Sequence, residues 1–325
     1  MNNVSVFAKG IYPTTDIYPM LKNCLINEEY FICSNDYINL CYKISNQEIK
    51  GCFDTKIILN IIANLRPDVP YMVENNASNT CISQGNFKLN IAKIPEENYP
   101  ISVPTELKEE IFYPKLIEIF KNISSFMGVD ASRTWCLGIH IKENMIYTTN
   151  NTVCCGVMNN FIMNDRFIPS QLVEKIIQLS EKGYIPEYWI DNDNVTGVKY
   201  KEGHLLFCRK SADPMDLSKP LIMSEEIPWI EITDELRDSI KKVASFTSEL
   251  YVDFDNDIIQ THKDKDFGAK IKYKESFGIG GAYIHKYFIP LIDFNTHFRF
   301  YKDRVMFYKK QEDIQYYFVE VRYVI

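Results

Sequence analysis

The sequence is poor in the residues that reaction chemistry draws on. Five histidines, His140, His204, His262, His285 and His297, are scattered over 325 residues, and no two stand at H-x-x-x-H spacing. The nine cysteines, Cys24, Cys33, Cys41, Cys52, Cys81, Cys136, Cys154, Cys155 and Cys208, contain no C-x-x-C pair, so neither a zinc site nor a disulfide framework is indicated. They read as reduced, mostly buried thiols; Cys154 and Cys155, on one alternating strand, would point to opposite faces. The glycines at 278–281, "GIGG", lack the strand-then-GxGxxG order of a dinucleotide loop. No Ser, Cys or carboxylate cluster offers a nucleophile beside a base. An enzyme is therefore disfavoured, and no cofactor or metal is expected.

Two further absences bound the class. No stretch reaches the roughly 20 uninterrupted apolar residues of a membrane span. The opening "MNNVSVFAKGIYPTTD" has no basic start followed by a long apolar core, so a cytoplasmic protein is expected. Positive charge is not in excess either: 36 Lys and Arg against 43 Asp and Glu leave a net charge of −7. Any affinity for nucleic acid must then come from where the lysines sit, not from how many there are.

What the chain does have is a phrase written three times. "GCFDTKIILNIIANL" (51–65), "DRFIPSQLVEKIIQL" (165–179) and "FGIGGAYIHKYFIPL" (277–291) superpose with Ile58/Leu172/Ile284, Ile62/Ile176/Phe288 and Leu65/Leu179/Leu291 in register. That i, i+4, i+7 stripe belongs to a short amphipathic helix entered from a strand. Upstream of each lies a meander: 24–44, 138–157 and 250–271, each two strands around a tight polar turn (Asn27-Glu28, Glu143-Asn144, Asp255-Asn256) and then a third. Further upstream the second and third copies add a strand (Leu107–Phe112, Trp229–Ile232) and a helix. These helices are 113–127, with Leu116, Ile119, Phe120 and Ile123 on one face, and 233–247, with Leu236, Ile240, Val243 and Thr247 and a capping Thr233. Downstream come the strands of 81–95, 197–210 and 298–325.

The stripe recurs after 114 and then 112 residues. Three domains follow, 1–103, 104–224 and 225–325, linked through the Pro-containing stretches 96–106 and 213–228. Each reads β-α-βββ twice over, an α+β fold with antiparallel sheets and two helices on one face. The first copy is incomplete: its opening strand is missing, and its first helix can only be the weak "NNVSVFAKG".

With the repeat in place, residues 51–100 resemble the first domain of the bacterial DNA polymerase III beta sliding clamp, through Gln84-Gly85, Phe87, Leu89, Pro95, Glu96 and Tyr99-Pro100. The second domain matches through "GIHIKENMIYTTNNTV" and "FIPSQLVEKIIQL", and more loosely "ADPMDL"; the third ends on "YFVEVRYV". The resemblance spans essentially the whole chain and rests on the ordered threefold set, not on one motif. It implies the DNA clamp fold, with two three-domain chains head to tail in a ring, helices lining the hole and sheets outside. It also implies double-stranded DNA as a sequence-independent partner, a DNA polymerase and clamp loader docking by a short hydrophobic peptide, and no membrane. The truncated start and the Asn/Ile/Lys/Tyr-rich composition would suit a phage-encoded member.

Helices that line such a hole should carry scattered positive charge for phosphates, without base contacts. On helical geometry Lys286 lies opposite Ile284 and Phe288, Lys121 and Lys241 fall on the far flanks with Lys115 and Lys242 beside them, Lys56 opens the first-domain helix, and Lys175 completes the set. Glu118, Glu174 and Asp238 are interspersed, so weak, sliding contacts are expected. The resemblance adds Arg133 and Trp135 as DNA-facing positions. It also places the partner-peptide groove at Cys136, Thr148, Asn150, Asn151, Thr152 and Val153, at Pro214, Ser218 and Lys219, and at Val305, Phe307, Val319, Glu320, Val321, Arg322 and Tyr323. Where the family has Asp-Gly-His-Arg-Leu this chain has "TNNTV", and its end is "EVRYVI", so its peptide preference is expected to differ. The competing reading is a clamp-shaped protein-binding hub that does not encircle DNA.

Overall fold

A computed structural model describes residues 3–13, 18–44, 48–66, 68–222, 229–245, 250–253, 258–260, 270–272, 282–284, 288–300 and 304–321. Its elements repeat in one order. The first copy runs α1 (Val4–Ala8), β1 (Asn23–Ile26), β2 (Tyr30–Ser34), β3 (Asn39–Lys43), β4 (Gly51–Asp54), α2 (Thr55–Asn64), β5 (Met72–Asn75), β6 (Asn79–Gln84) and β7 (Phe87–Ala92). The second opens with an extra strand, β8 (Lys108–Ile111). It continues α3 (Lys115–Ile123), β9 (Gly138–Lys142), β10 (Met145–Thr149), β11 (Val153–Met158), β12 (Arg166–Pro169), α4 (Ser170–Ser180), β13 (Tyr188–Asp191), β14 (Val195–Lys199) and β15 (Leu205–Arg209). The third is β16 (Ile230–Glu231), α5 (Asp234–Ala244), β17 (Leu250–Asp253), β18 (Ile258–Gln260), β19 (Lys270–Lys272), β20 (Ala282–Ile284), α6 (Phe288–Phe294), β21 (His297–Phe300), β22 (Arg304–Gln311) and β23 (Ile314–Val321).

The sheets join the meander of one copy to the last strands of the next. One eight-stranded sheet has the order β4-β1-β2-β3-β15-β14-β13-β8, and a second has the matching order β12-β9-β10-β11-β23-β22-β21-β16. The meander left over from the third copy is a sheet of four, β19-β18-β17-β20, and the strands left over from the first are a sheet of three, β5-β6-β7. The chain accordingly forms two compact units, residues 1–121 with 168–211 and residues 122–167 with 212–325.

In the first unit the eight-stranded sheet is buried on both faces. Cys33, Leu40, Leu206, Val198 and Trp189 form one cross-strand row, and Trp189 packs on Phe112 and Phe120 of the α3 region at 4.9 and 6.3 Å. On the other face Ile32, Cys41, Leu205 and Phe207 pack with Tyr99, with Ile94, Ile101, Val103 and Leu107 laid against them. The linker 94–107 is thus a cover for the outer face. A sheet covered on both sides shows near-continuous burial, not clean alternation; β2, β3, β14 and β15 do so. All nine cysteines are buried and free, Cys154 and Cys155 included.

Local signals explain most of the helices. The Asp54 carboxylate caps α2 by accepting from the Ile57 N–H, and the Thr233 hydroxyl accepts from the Leu236 N–H at the start of α5. The stripe Leu116, Ile119, Phe120 and Ile123 of α3 is fully buried. One expectation is corrected. Ile284 ends strand β20 and does not lie on the third-copy helix, which begins at Phe288. Pro290 is the reason: lacking an N–H, it fits the first turn of a helix but not its interior, so the helix cannot start several residues earlier. Matching elements therefore recur at strand starts 51, 166 and 282, spacings of 115 and 116 residues.

Candidate functional site

The helix lysines divide into exposed and buried. Lys56, Lys115, Lys121, Lys241 and Lys242 are all exposed, on α2, α3 and α5. Lys56 lies 5.4 Å from the Tyr12 ring centroid, Lys121 is 3.9 Å from Glu181, and Lys241 is 2.7 Å from Asp293. Exposed ion pairs of this kind contribute little to stability and exchange readily for another anion. Glu118 and Asp238 are exposed on α3 and α5, and Glu174 is exposed on α4. Arg133 is exposed and 3.6 Å from Asp130, and Trp135 is 39% exposed, so it is not a core residue. Lys286 lies outside the described residues.

Lys175 departs from the expectation. It is only 5% exposed, and its ammonium donates to the Lys9 carbonyl (2.7 Å) and to the Gln178 Oε1 (2.9 Å). Lys9 is the C-cap of α1, so the cation satisfies a carbonyl left open at a helix end. Burial pulls the Lys175 pKa down to about 8. In this chain it holds α1 in place, and it does not present a charge to solvent.

The groove positions gather on neighbouring strands of the second unit but divide between the two faces of the sheet. In β11, β23 and β22, Val153, Glu320 and Val305 form one cross-strand row, and Cys154, Val319 and Met306 form the next, on the opposite face. Val153, Val305, Phe307, Val319 and Glu320 are all buried. The Glu320 carboxyl, 1% exposed, is pushed well above the usual carboxylate range by burial. Thr148 donates to the Gly138 carbonyl, and the Cys136 thiol to the Asn151 side-chain oxygen. Asn150 builds the β10–β11 turn: its side-chain oxygen accepts from the Thr152 and Val153 N–H groups at 3.0 and 2.8 Å, while Asn151 takes φ 71°. Pro214, Ser218 and Lys219 belong to the segment 212–222, which lies on the outer strand face. There the Cys154 thiol meets the Leu217 carbonyl, and Leu221 packs against Gly156 where a Cβ would collide with it. Arg322 and Tyr323 lie outside the described residues, as does the side chain of Val321.

Known structures share this architecture along the whole chain. A Helicobacter pylori beta clamp superposes with a TM-score of 0.76 at 14% identity, covering 100% of this chain and 97% of that one. The fold is that of a bacterial DNA sliding clamp. Caulobacter crescentus pol III beta gives 0.77 at 11% identity over 97% of this chain and 95% of its own. An H. pylori beta clamp bound to a DNA ligase peptide gives 0.73 at 16% identity over 100% and 97%. No protein-family model and no curated sequence matches the chain.

Within the clamp fold one residue matters that sequence reasoning passes over. His140, in β9, reads from sequence as an ordinary surface or satisfied histidine. Its Nε2–H donates to the Trp135 carbonyl (2.7 Å), and its Nδ1 accepts from the Met215 N–H (3.0 Å). One ring thus ties the turn before β9 to the covering segment, the two margins of the groove positions. Accepting at Nδ1 requires the neutral imidazole, and burial lowers the His140 pKa accordingly. Asp216 does parallel work: it accepts from the Ser218 N–H, and its bonds to Ser218 and Tyr147 hold its carboxyl below the usual range. An Asp-x-Ser turn is visible in sequence; its pairing with Tyr147 and the tie from His140 are not. Among the described residues no cluster of three metal-ligating side chains occurs, and no helix is long and apolar enough to cross a membrane.

Proposed function

We propose that this chain is a DNA sliding clamp, a non-enzymatic ring of two copies that encircles duplex DNA and tethers the replicative polymerase. The observation that carries the reading is the remainder in the sheet count. Two sheets are complete at eight strands, each joining a meander to the closing strands of the following copy. The meander β20-β17-β18-β19 and the closing strands β7-β6-β5 repeat the orders of the two halves and are left as separate sheets. A second chain supplies each missing half if β19 of one copy pairs with β7 of the other, head to tail. The two junctions are equivalent, so a closed assembly leaves no sheet incomplete, and the reading takes two chains to close it.

In this reading the three domains are 1–103, 104–224 and 225–325. Lys56, Lys115, Lys121, Lys241, Lys242, Arg133 and Trp135 face DNA. Their exposed, mixed-charge helix faces suit salt-sensitive, sequence-independent contact. The strip around Cys154, Val319 and the 212–222 segment takes a short apolar peptide of a polymerase or clamp loader; an H. pylori beta clamp of the same fold is bound to a DNA ligase peptide. The protein would act in the cytoplasm.

The test combines light scattering after size exclusion with retention on DNA. A dimer at micromolar concentration that stays on nicked circular DNA, and slides off when the circle is cut, is the expected result. A monomer, or equal retention on linear and circular DNA, would leave the hub reading instead.

A further inference from the structure

The first unit contains a cleft at the position that, in the second unit, the candidate peptide groove occupies. We infer that this cleft is a second docking site, for a short partner peptide with apolar anchors and a carboxylate. Such a site goes beyond the ring reading; it rests on the internal repeat together with the peptide groove proposed for the second unit.

The correspondence holds feature by feature. In the second unit the turn between β10 and β11 is built on Asn150. In the first, the turn between β2 and β3 is built the same way: the Asn35 side-chain oxygen accepts from the Tyr37 and Ile38 N–H groups at 3.2 and 2.9 Å, and Asp36 takes φ 77° as Asn151 takes 71°. In both turns the Asn N–H donates to the carbonyl three residues on, at 3.2 Å (Asn35 to Ile38, Asn150 to Val153). Following the register across, Asn39 faces Phe207 as Cys154 faces Val319, and Arg209 stands in β15 where Val321 stands in β23. A short 3₁₀ turn precedes each meander, Pro19–Lys22 and Thr134–Cys136, and sets a buried Leu21 and a buried Cys136 at matching places. A linker lies over the outer face in each, 94–107 in one and 212–222 in the other.

The chemistry of the first cleft is its own. It encloses about 480 Å³, within the range of small-ligand pockets, and its lining includes Leu21, Ser34, Asn39 and Ile101, with Asp36 and Arg209 exposed at its rim. Apolar walls accept aliphatic or aromatic anchors. The Arg209 guanidinium offers a planar fork for one carboxylate. Asn39, buried with its amide nitrogen 3.5 Å from the Phe207 carbonyl, brings a carboxamide to the cleft wall that can meet peptide backbone. Where the second-unit strand has an aliphatic residue, Val321, the first has a cation. The two sites should therefore select different peptides, the first favouring an acidic residue beside its anchors.

The experiment pans a phage-displayed library of random heptapeptides against the full chain, then titrates the enriched peptides, made synthetically, by calorimetry. They are titrated into the unaltered protein, into Arg209→Glu and Tyr18→Asp at the rim of the first cleft, and into Pro214→Asp in the second unit. Tyr18 and Arg209 are both exposed, so neither change should disturb folding, which far-UV circular dichroism checks. The expected result is an enriched acidic, apolar peptide whose affinity falls at least tenfold in Arg209→Glu and Tyr18→Asp and changes less than twofold in Pro214→Asp. Enriched peptides sensitive only to Pro214→Asp, or no enrichment at all, would overturn the proposal. Neither result touches dimer formation or DNA retention, which test the ring separately.

Discussion

The complete sheets and the open ones use the same strand pattern with different consequences. In the eight-stranded sheets each central strand has a neighbour on both sides and a cover on both faces, which is why β2, β3, β14 and β15 bury nearly every residue. In the three-stranded sheet β5 is largely exposed, with Met72 at 69%, and β7 shows mostly exposed side chains. Where β3 pairs with β15 and β11 with β23 in the complete sheets, the corresponding strands β19 and β7 have no such neighbour among the described residues. An open edge with unpaired backbone groups is a template for another chain. Completeness within one chain and incompleteness at the two remainders are what a closed assembly of copies requires.

The largest effect should come from the core of a complete sheet. Trp189→Ala, which removes the largest fully buried side chain from between Phe112 and Phe120, should cost about 3–5 kcal/mol in urea unfolding. Met72→Ala in the open sheet should change stability by less than about 0.5 kcal/mol. Equal effects would erase the distinction.

Next in size is the edge itself. Proline at both Leu89 and Asn90 in β7 removes an outward N–H whichever of the two faces the neighbouring chain. Self-association measured by sedimentation should weaken at least 100-fold, about 2.7 kcal/mol, while the eight-stranded sheets persist by circular dichroism. An unaltered dimer would place the contact elsewhere.

His140→Phe should be milder, costing about 1–3 kcal/mol through the Met215 N–H and Trp135 carbonyl left without the ring. It should also speed amide exchange in 213–221. The sign of the pH dependence follows from the lowered pKa. The unfolded chain binds a proton near pH 6.5 that the folded one resists, so the His140 contribution is whole above about 6.5 and declines as pH falls toward the folded value. Unfolding midpoints of the two proteins should converge on acidification.

Smallest in stability is the charge reversal of Lys121, Lys241 and Lys242 to glutamate. Dimerisation should be unchanged. Retention on circular DNA should shorten, and its salt dependence should flatten by about 0.9 in log-log slope for each phosphate no longer neutralised. No change on DNA would remove these helix faces from the DNA-facing surface.

Much of this is legible in the chain. The threefold recurrence, the apolar stripe of α3, the Thr233 cap and the expectation of mostly buried thiols follow from spacing and composition, because each depends on neighbours a few residues away. Helical spacing alone sets the third-copy helix four residues early, because Ile284, Phe288 and Leu291 satisfy it as well as any true stripe, and only the position of Pro290 argues otherwise. Lys175 falls among the solvent-facing lysines for a related reason. A helical wheel has no knowledge of α1, whose Lys9 carbonyl, 166 residues away, accepts from the Lys175 ammonium.

The sequence by itself determined an α+β chain written as three copies of one unit, because periodicity and residue chemistry are local. Only the tertiary structure decided that the two eight-stranded sheets are each shared between successive copies, that linkers cover their outer faces, that His140 ties the turn before β9 to the 212–222 segment, and that the first unit holds a cleft of its own. Those features join residues from distant parts of the chain, and no window of sequence contains the partners at once.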